Sequence, residues 1–110
     1  MATPEQFFEI NMRVGTVLEA EHFAEARKPS IKLLIDFGPD LGLKRSSAQL
    51  TVHYTPERLV GRQIVAAVNL GERRIAGFMS EVLVLGAMPT TTEVVLLAID
   101  QSVANGTRIG

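Results

Sequence analysis

The run Val68-Asn69-Leu70-Gly71-Glu72-Arg73-Arg74-Ile75-Ala76-Gly77-Phe78-Met79-Ser80-Glu81-Val82-Leu83 joins two apolar segments through a polar stretch bounded by glycines. One strand ends near Asn69 and a second starts at Ser80, so the turn between them is expected to push Arg73 and Arg74 into solvent. Two neighbouring guanidiniums on a loop offer rigid forks of donors suited to phosphate. The same residues fit a solvated hairpin whose charges keep it soluble, and residue types alone favour that plainer reading. Phe78 and Met79 fall in the same turn, where large apolar groups are unusual. They either line a groove for polypeptide, because a flexible methionine adapts to varied apolar partners, or lie buried at a seam between two chains.

Other elements can be placed on both sides of this run. Thr3-Pro4-Glu5-Gln6 reads as a short N-terminal helix, with Thr3 as N-cap, Pro4 in the first helical position and Gln6 completing a capping box. Asn11 to Leu18 has strand composition, and Ile31 to Phe37 is a second strand with Ile31, Leu33, Ile35 and Phe37 on one face. Glu21 to Ser30, containing Arg27, Lys28 and Pro29, is the polar loop between them. Gly38-Pro39-Asp40 is a turn, and Lys44 to Leu50 a third strand. Thr55 and Pro56 open a helical turn that Gly61 stops. Gln63 to Asn69, Val82 to Leu85 and Glu93 to Ile99 read as further strands, and Asn105-Gly106 as a late tight turn.

Three strands, a short helix and then more strands is the element order of an OB-fold, a five-stranded barrel. The expectation is an all-β barrel with its helix between strands 3 and 4, forming a single domain over residues 1–110. Val82-Leu83-Val84-Leu85 and Val94-Val95-Leu96-Leu97 do not alternate polar with apolar, so both faces of these strands need cover. Either an identical second chain supplies it, giving a two-fold homodimer, or the terminal segments do.

The net charge is −1 over 110 residues, but it is unevenly spread. Residues 1–26 hold five acids against Arg13, while residues 43–77 hold six bases against Glu57 and Glu72, a local net of +4. Such a segment can form an anion-binding face without the strong overall charge of a tight, non-specific nucleic-acid binder, so RNA binding is expected to be modest and salt-sensitive. No cysteine is present, which removes disulfides and thiolate chemistry. The first residues lack the basic start and apolar core of a signal peptide, and no apolar run reaches the roughly 20 residues that span a bilayer. A cytoplasmic protein without membrane insertion is expected.

Catalysis has little to work with. His22 and His53 are the only histidines, and neither has metal-ligand spacing. There is neither a G-x-S-x-G element nor a phosphate-cradling glycine loop. Ser46-Ser47 lacks a histidine placed to act as base, and the carboxylates are scattered. The chain reads as a binding protein, with no catalytic residue, metal or cofactor.

Several motifs occur in order over about Phe7 to Gly110: Met12-Arg13-Val14-Gly15, Ala26-Arg27-Lys28-Pro29-Ser30-Ile31-Lys32-Leu33, Lys44-Arg45-Ser46-Ser47-Ala48-Gln49, Pro56-Glu57-Arg58-Leu59-Val60-Gly61 and Ser80-Glu81-Val82-Leu83-Val84-Leu85-Gly86. Together they resemble the tRNA-binding domain family, and the Ser-Ser-Ala-Gln and Ala-Gly-Phe-x-Ser-Glu-Val-Leu runs are similar to its small secretion-chaperone members. The resemblance implies an OB-fold homodimer that grips tRNA by shape and backbone. In the chaperone members it implies binding of unfolded polypeptides or preproteins and of export machinery; the alternative is a pure tRNA-binding module acting in trans. Two departures stand out: Asn11 replaces an aspartate usual in the family, and Leu83 replaces a methionine frequent in tRNA-binding relatives. Candidate RNA contacts are Lys28, Lys44, Arg45, Arg73, Arg74 and Ser80, the last matching a family serine tied to tRNA binding. Phe78 and Met79 are the candidate peptide contacts.

Overall fold

The structure, a computed structural model, describes all 110 residues. In chain order its elements are α1 (Pro4–Phe8), β1 (Met12–His22), β2 (Ile31–Asp36), α2 (Gly38–Leu41), β3 (Leu43–Ala48), α3 (Pro56–Leu59), β4 (Gln63–Ala67), β5 (Arg73–Ile75), β6 (Phe78–Ser80), β7 (Leu83–Val84), β8 (Gly86–Thr90) and β9 (Glu93–Leu96).

Strand β1 is long because it serves two neighbours. Met12 to Thr16 pairs antiparallel with β4, and Thr16 to His22 pairs with β2. The change of partner needs a bend, and two features provide it. A β-bulge lies between Val17 and Glu19, so that Leu18 has no opposite residue on β2; such an insertion increases local twist. Gly15 lets the backbone pass close over the core: a Cβ there would lie 2.7 Å from Ile35 Cγ2 and 2.8 Å from the Phe37 ring.

The main sheet runs β3-β2-β1-β4-β7, all pairs antiparallel. Its two outer strands meet through a seam rather than a full ladder. Glu81 N–H donates to the Arg45 carbonyl at 2.8 Å, and the Ser46 hydroxyl donates to the Val82 carbonyl at 2.9 Å. The result is the expected OB-type barrel, with α3 between its third and fourth strands. The core holds Val17, Ile31, Leu33, Ile35, Phe37, Leu50, Leu59 and Ile64, so the predicted inward face of β2 is the observed one. Pro56 and Leu59 of α3 are buried at the end of the barrel.

Thr3 and Gln6 form the predicted capping box, with Gln6 N–H donating to Thr3 Oγ1 at 3.2 Å and Thr3 N–H to Gln6 Oε1 at 2.9 Å. Asn69 ties α1 to the barrel: its Oδ1 accepts from Asn11 N–H, and its Nδ2 donates to the Glu9 carbonyl, both at 2.8 Å. At the other terminus, Gly106 N–H donates to the Val14 carbonyl and the Thr16 hydroxyl to Asn105 Oδ1, each at 2.7 Å. The expected turn at Asn105-Gly106 is thereby docked on β1.

Several local expectations differ. Gly38 to Asp40 belongs to one helical turn. Strand β8 was hidden by Gly86 and Pro89, which weaken a strand pattern and are tolerated here because β8 pairs only with β9. The predicted Val82–Leu85 and Glu93–Ile99 strands shorten to Leu83–Val84 and Glu93–Leu96.

Candidate functional site

The segment between Gly71 and Glu81 is a two-stranded hairpin, β5–β6, standing outside the main sheet. Its tip is Ala76-Gly77, with φ +45° and +82°. Two successive positive φ values match the twist of tight hairpin turns. Arg73 and Arg74 are therefore not in the turn, as the sequence suggested, but in β5; Phe78 and Met79 likewise lie in β6. The reason is that the turn needs only two residues, so pairing extends back to Arg73↔Ser80. Strand geometry also separates the two arginines. Opposite residues share a face and successive ones alternate, which puts Arg73 with Ile75, Phe78 and Ser80, and Arg74 with Met79. They are exposed but not a single double fork.

Phe78 packs edge-on against Phe23, with ring centroids 5.4 Å apart. The Lys32 ammonium sits 5.0 Å from the Phe23 ring centre and 5.5 Å from that of Phe78, and 3.4 Å from Glu21 Oε1. This cluster joins the hairpin to the loop after β1 and walls one side of a groove of about 360 Å³. Glu19, Glu21, Lys32, Leu34, Arg45 and Phe78 line it. Phe23 was not singled out from the sequence, and only its contact with a hairpin 55 residues away reveals it.

Lys44 and Arg45 part company for the same reason as the hairpin arginines. Lys44 pairs with Ile35 and takes the core-side face at the barrel rim, whereas Arg45 pairs with Leu34 and faces the groove. Lys28 is exposed on the β1–β2 loop, and its carbonyl accepts from the Ser30 hydroxyl at 2.9 Å. Ser80 is only 8% exposed, and its hydroxyl oxygen accepts the Ser47 N–H at 3.1 Å. The groove thus gathers Arg45 and Phe78; Ser80 lies in the seam beside it, Arg74 and Met79 share the outer face of the hairpin, and Lys44 and Lys28 stand apart.

A second feature lies on β7 to β9. Leu83, Val95 and Leu97 are 53%, 38% and 45% exposed. The register Ala87↔Val95 and the bond from Leu97 N–H to the Leu85 carbonyl place Leu83, Leu85, Ala87, Val95 and Leu97 on one outward face. Terminal segments do not cover it. Tyr54, over whose ring the Arg62 guanidinium lies at 5.3 Å, accepts the Leu96 N–H through its hydroxyl at 3.0 Å, and His53 contacts Glu93. These contacts hold the β8–β9 hairpin on the barrel.

No three His, Asp or Glu side chains converge as metal ligands, no buried polar side-chain atom lacks a partner, and no helix is long and apolar enough to cross a membrane. A family model described as "Putative tRNA binding domain" matches residues 12–108. Among sequence relatives, the methionine–tRNA ligase of Rhodopirellula baltica is 37% identical over 97% of this chain but only 16% of its own length. That of Bacillus subtilis is 36% identical, with the same shares of 97% and 16%. The chain therefore corresponds to a small part of those enzymes. Among solved structures, the chaperone CsaA of Bacillus anthracis superposes with a TM-score of 0.94 at 55% identity, covering 100% of this chain and 99% of that one. CsaA of Picrophilus torridus gives 0.91 at 44% identity, with both chains fully covered. With the OB-type barrel and the family motifs in place along 12–108, the chain belongs to the tRNA-binding domain family.

Proposed function

We propose that this protein is a non-catalytic, homodimeric chaperone of the CsaA type that binds unfolded polypeptide segments, including those of preproteins bound for export machinery, in the cytoplasm. The observation that carries this reading is the end-to-end match to CsaA chains at 55% identity, against a match to a small part of the tRNA ligases. The groove beside Phe78 supports it chemically, because it combines an apolar wall with charges of both signs. The dimer reading rests on the outward apolar face of Leu83, Val95 and Leu97, which nothing in the chain covers. An apolar face of this kind gains from burial against a second copy.

A second reading, backbone binding of tRNA, is favoured by the family match itself and by the exposed Lys28, Arg73 and Arg74. Lys44 at the rim extends that set. Ser80 would act indirectly, by holding the hairpin that carries the two arginines.

Titrating a permanently unfolded, alkylated polypeptide and bulk tRNA at two salt concentrations tests both readings. Polypeptide binding that responds to salt much less than tRNA binding is expected, since apolar burial is not screened and only exposed ion pairs are. Its absence would remove the chaperone reading. Sedimentation of Val95→Glu should give a monomer where the parent protein sediments as a dimer.

A further inference from the structure

Three side chains stand abreast on the outer face of the barrel. Glu19 of β1 lies opposite Leu34 of β2, and Leu34 lies opposite Arg45 of β3. Opposite residues share a face. With strands about 4.8 Å apart, the carboxylate and the guanidinium are rooted roughly 10 Å from one another across an apolar floor. The neighbouring row is Glu21, Lys32 and Ser47. In that row Lys32 is already engaged by Glu21 and by the two phenylalanine rings.

The first row is unengaged. The protein contains two ion pairs, Lys32–Glu21 and His53–Glu93, so neither Glu19 nor Arg45 has an ionic partner. The other charged group beside Arg45, the Glu81 carboxylate, accepts the Arg45 backbone N–H at 3.0 Å. An acid and a base therefore flank Leu34 in a groove of about 360 Å³ that Phe78 also lines.

We infer that this row is a selectivity site for an extended polypeptide segment that carries a basic side chain, an apolar one and an acidic one on the same face. The inference rests on the chaperone reading and adds which segments it selects. In an extended chain, residues i, i+2 and i+4 share a face and span roughly 13 Å, within the reach of long side chains from a 10 Å row. The basic group meets Glu19, the apolar one covers Leu34 and Phe78, and the carboxylate takes the fork of Arg45. A phosphate backbone fits poorly, because Glu19 and Glu21 would repel it along the same groove.

The test uses unstructured glycine-serine peptides with one central motif: lysine-serine-leucine-serine-glutamate, or the same motif with two lysines, with two glutamates, or with serine in place of leucine. Amide chemical shifts of the labelled protein report both position and affinity. The mixed-charge motif should shift Leu34 and Arg45 and bind tightest, with each mismatched charge costing up to about fivefold, the range of an exposed ion pair. In Glu19→Lys, a surface change, the two-glutamate motif should become the preferred one. An unchanged ranking in that variant overturns the inference. Shifts that fall elsewhere while unfolded polypeptide still binds overturn it and leave the chaperone reading standing. If no unfolded polypeptide binds, both fall together. Competition by tRNA for the same amides would make the groove an RNA site and overturn the inference as well.

Discussion

Ser80 Oγ accepts the backbone N–H of Ser47 at 3.1 Å, linking the hairpin to the open edge of β3. Ser80 is nearly buried, so removing its oxygen leaves that N–H without a protein partner. Ser80→Ala should lower stability by about 1–3 kcal/mol, the range for a stranded donor. A urea melt with an unchanged midpoint would mean that water replaces the hydroxyl at no net loss.

Gly15 is required by space rather than by dihedral angle, since its absent Cβ would meet Ile35 and Phe37 below 3 Å. Gly15→Ala should destabilise by about 1–3 kcal/mol through overpacking. Equilibrium denaturation measures this directly, and a neutral result would show that Phe37 yields easily.

Ala76 is the one non-glycine residue at positive φ. Asparagine tolerates this region and precedes glycine in favoured hairpin turns. Ala76→Asn should stabilise the protein by about 0.5 kcal/mol, raising Tm by roughly 2–4 °C for a domain of this size. Differential scanning calorimetry checks it. Polypeptide binding should stay the same, because residue 76 lies at the hairpin tip.

Arg73 and Arg74 point to opposite faces of the hairpin, so they should not behave as one site. If both neutralise tRNA phosphates, each alanine variant should flatten the salt dependence separately. The expected change is roughly 0.7–0.9 in the slope of log K against log salt for each phosphate left without its arginine. The double variant should give the sum of the two changes. A slope that only one variant changes assigns the RNA face to that side of the hairpin.

Much of the architecture follows from local sequence. The Thr3–Gln6 capping box, the inward Ile31-Leu33-Ile35-Phe37 face of β2 and the Pro56 helix depend on residues a few positions apart, and each formed as the pattern implied. The candidate contacts fared differently. Arg73 and Arg74 read as one double fork because sequence proximity resembles spatial proximity, yet pairing of β5 with β6 turned them apart.

Glu19 illustrates the division most clearly. Strict alternation from the buried Val17 points Leu18 outward and Glu19 into the core. The bulge at Leu18 shifts the register by one residue and turns Glu19 and Glu21 outward, opposite Leu34 and Lys32. Helix caps and strand periods were thus determined by the sequence itself, because their energies lie between residues close in the chain. The acid–apolar–base row and the aromatic cluster around Lys32 were decided only by tertiary structure. They join segments that no local pattern connects, through a register set by how the barrel closes.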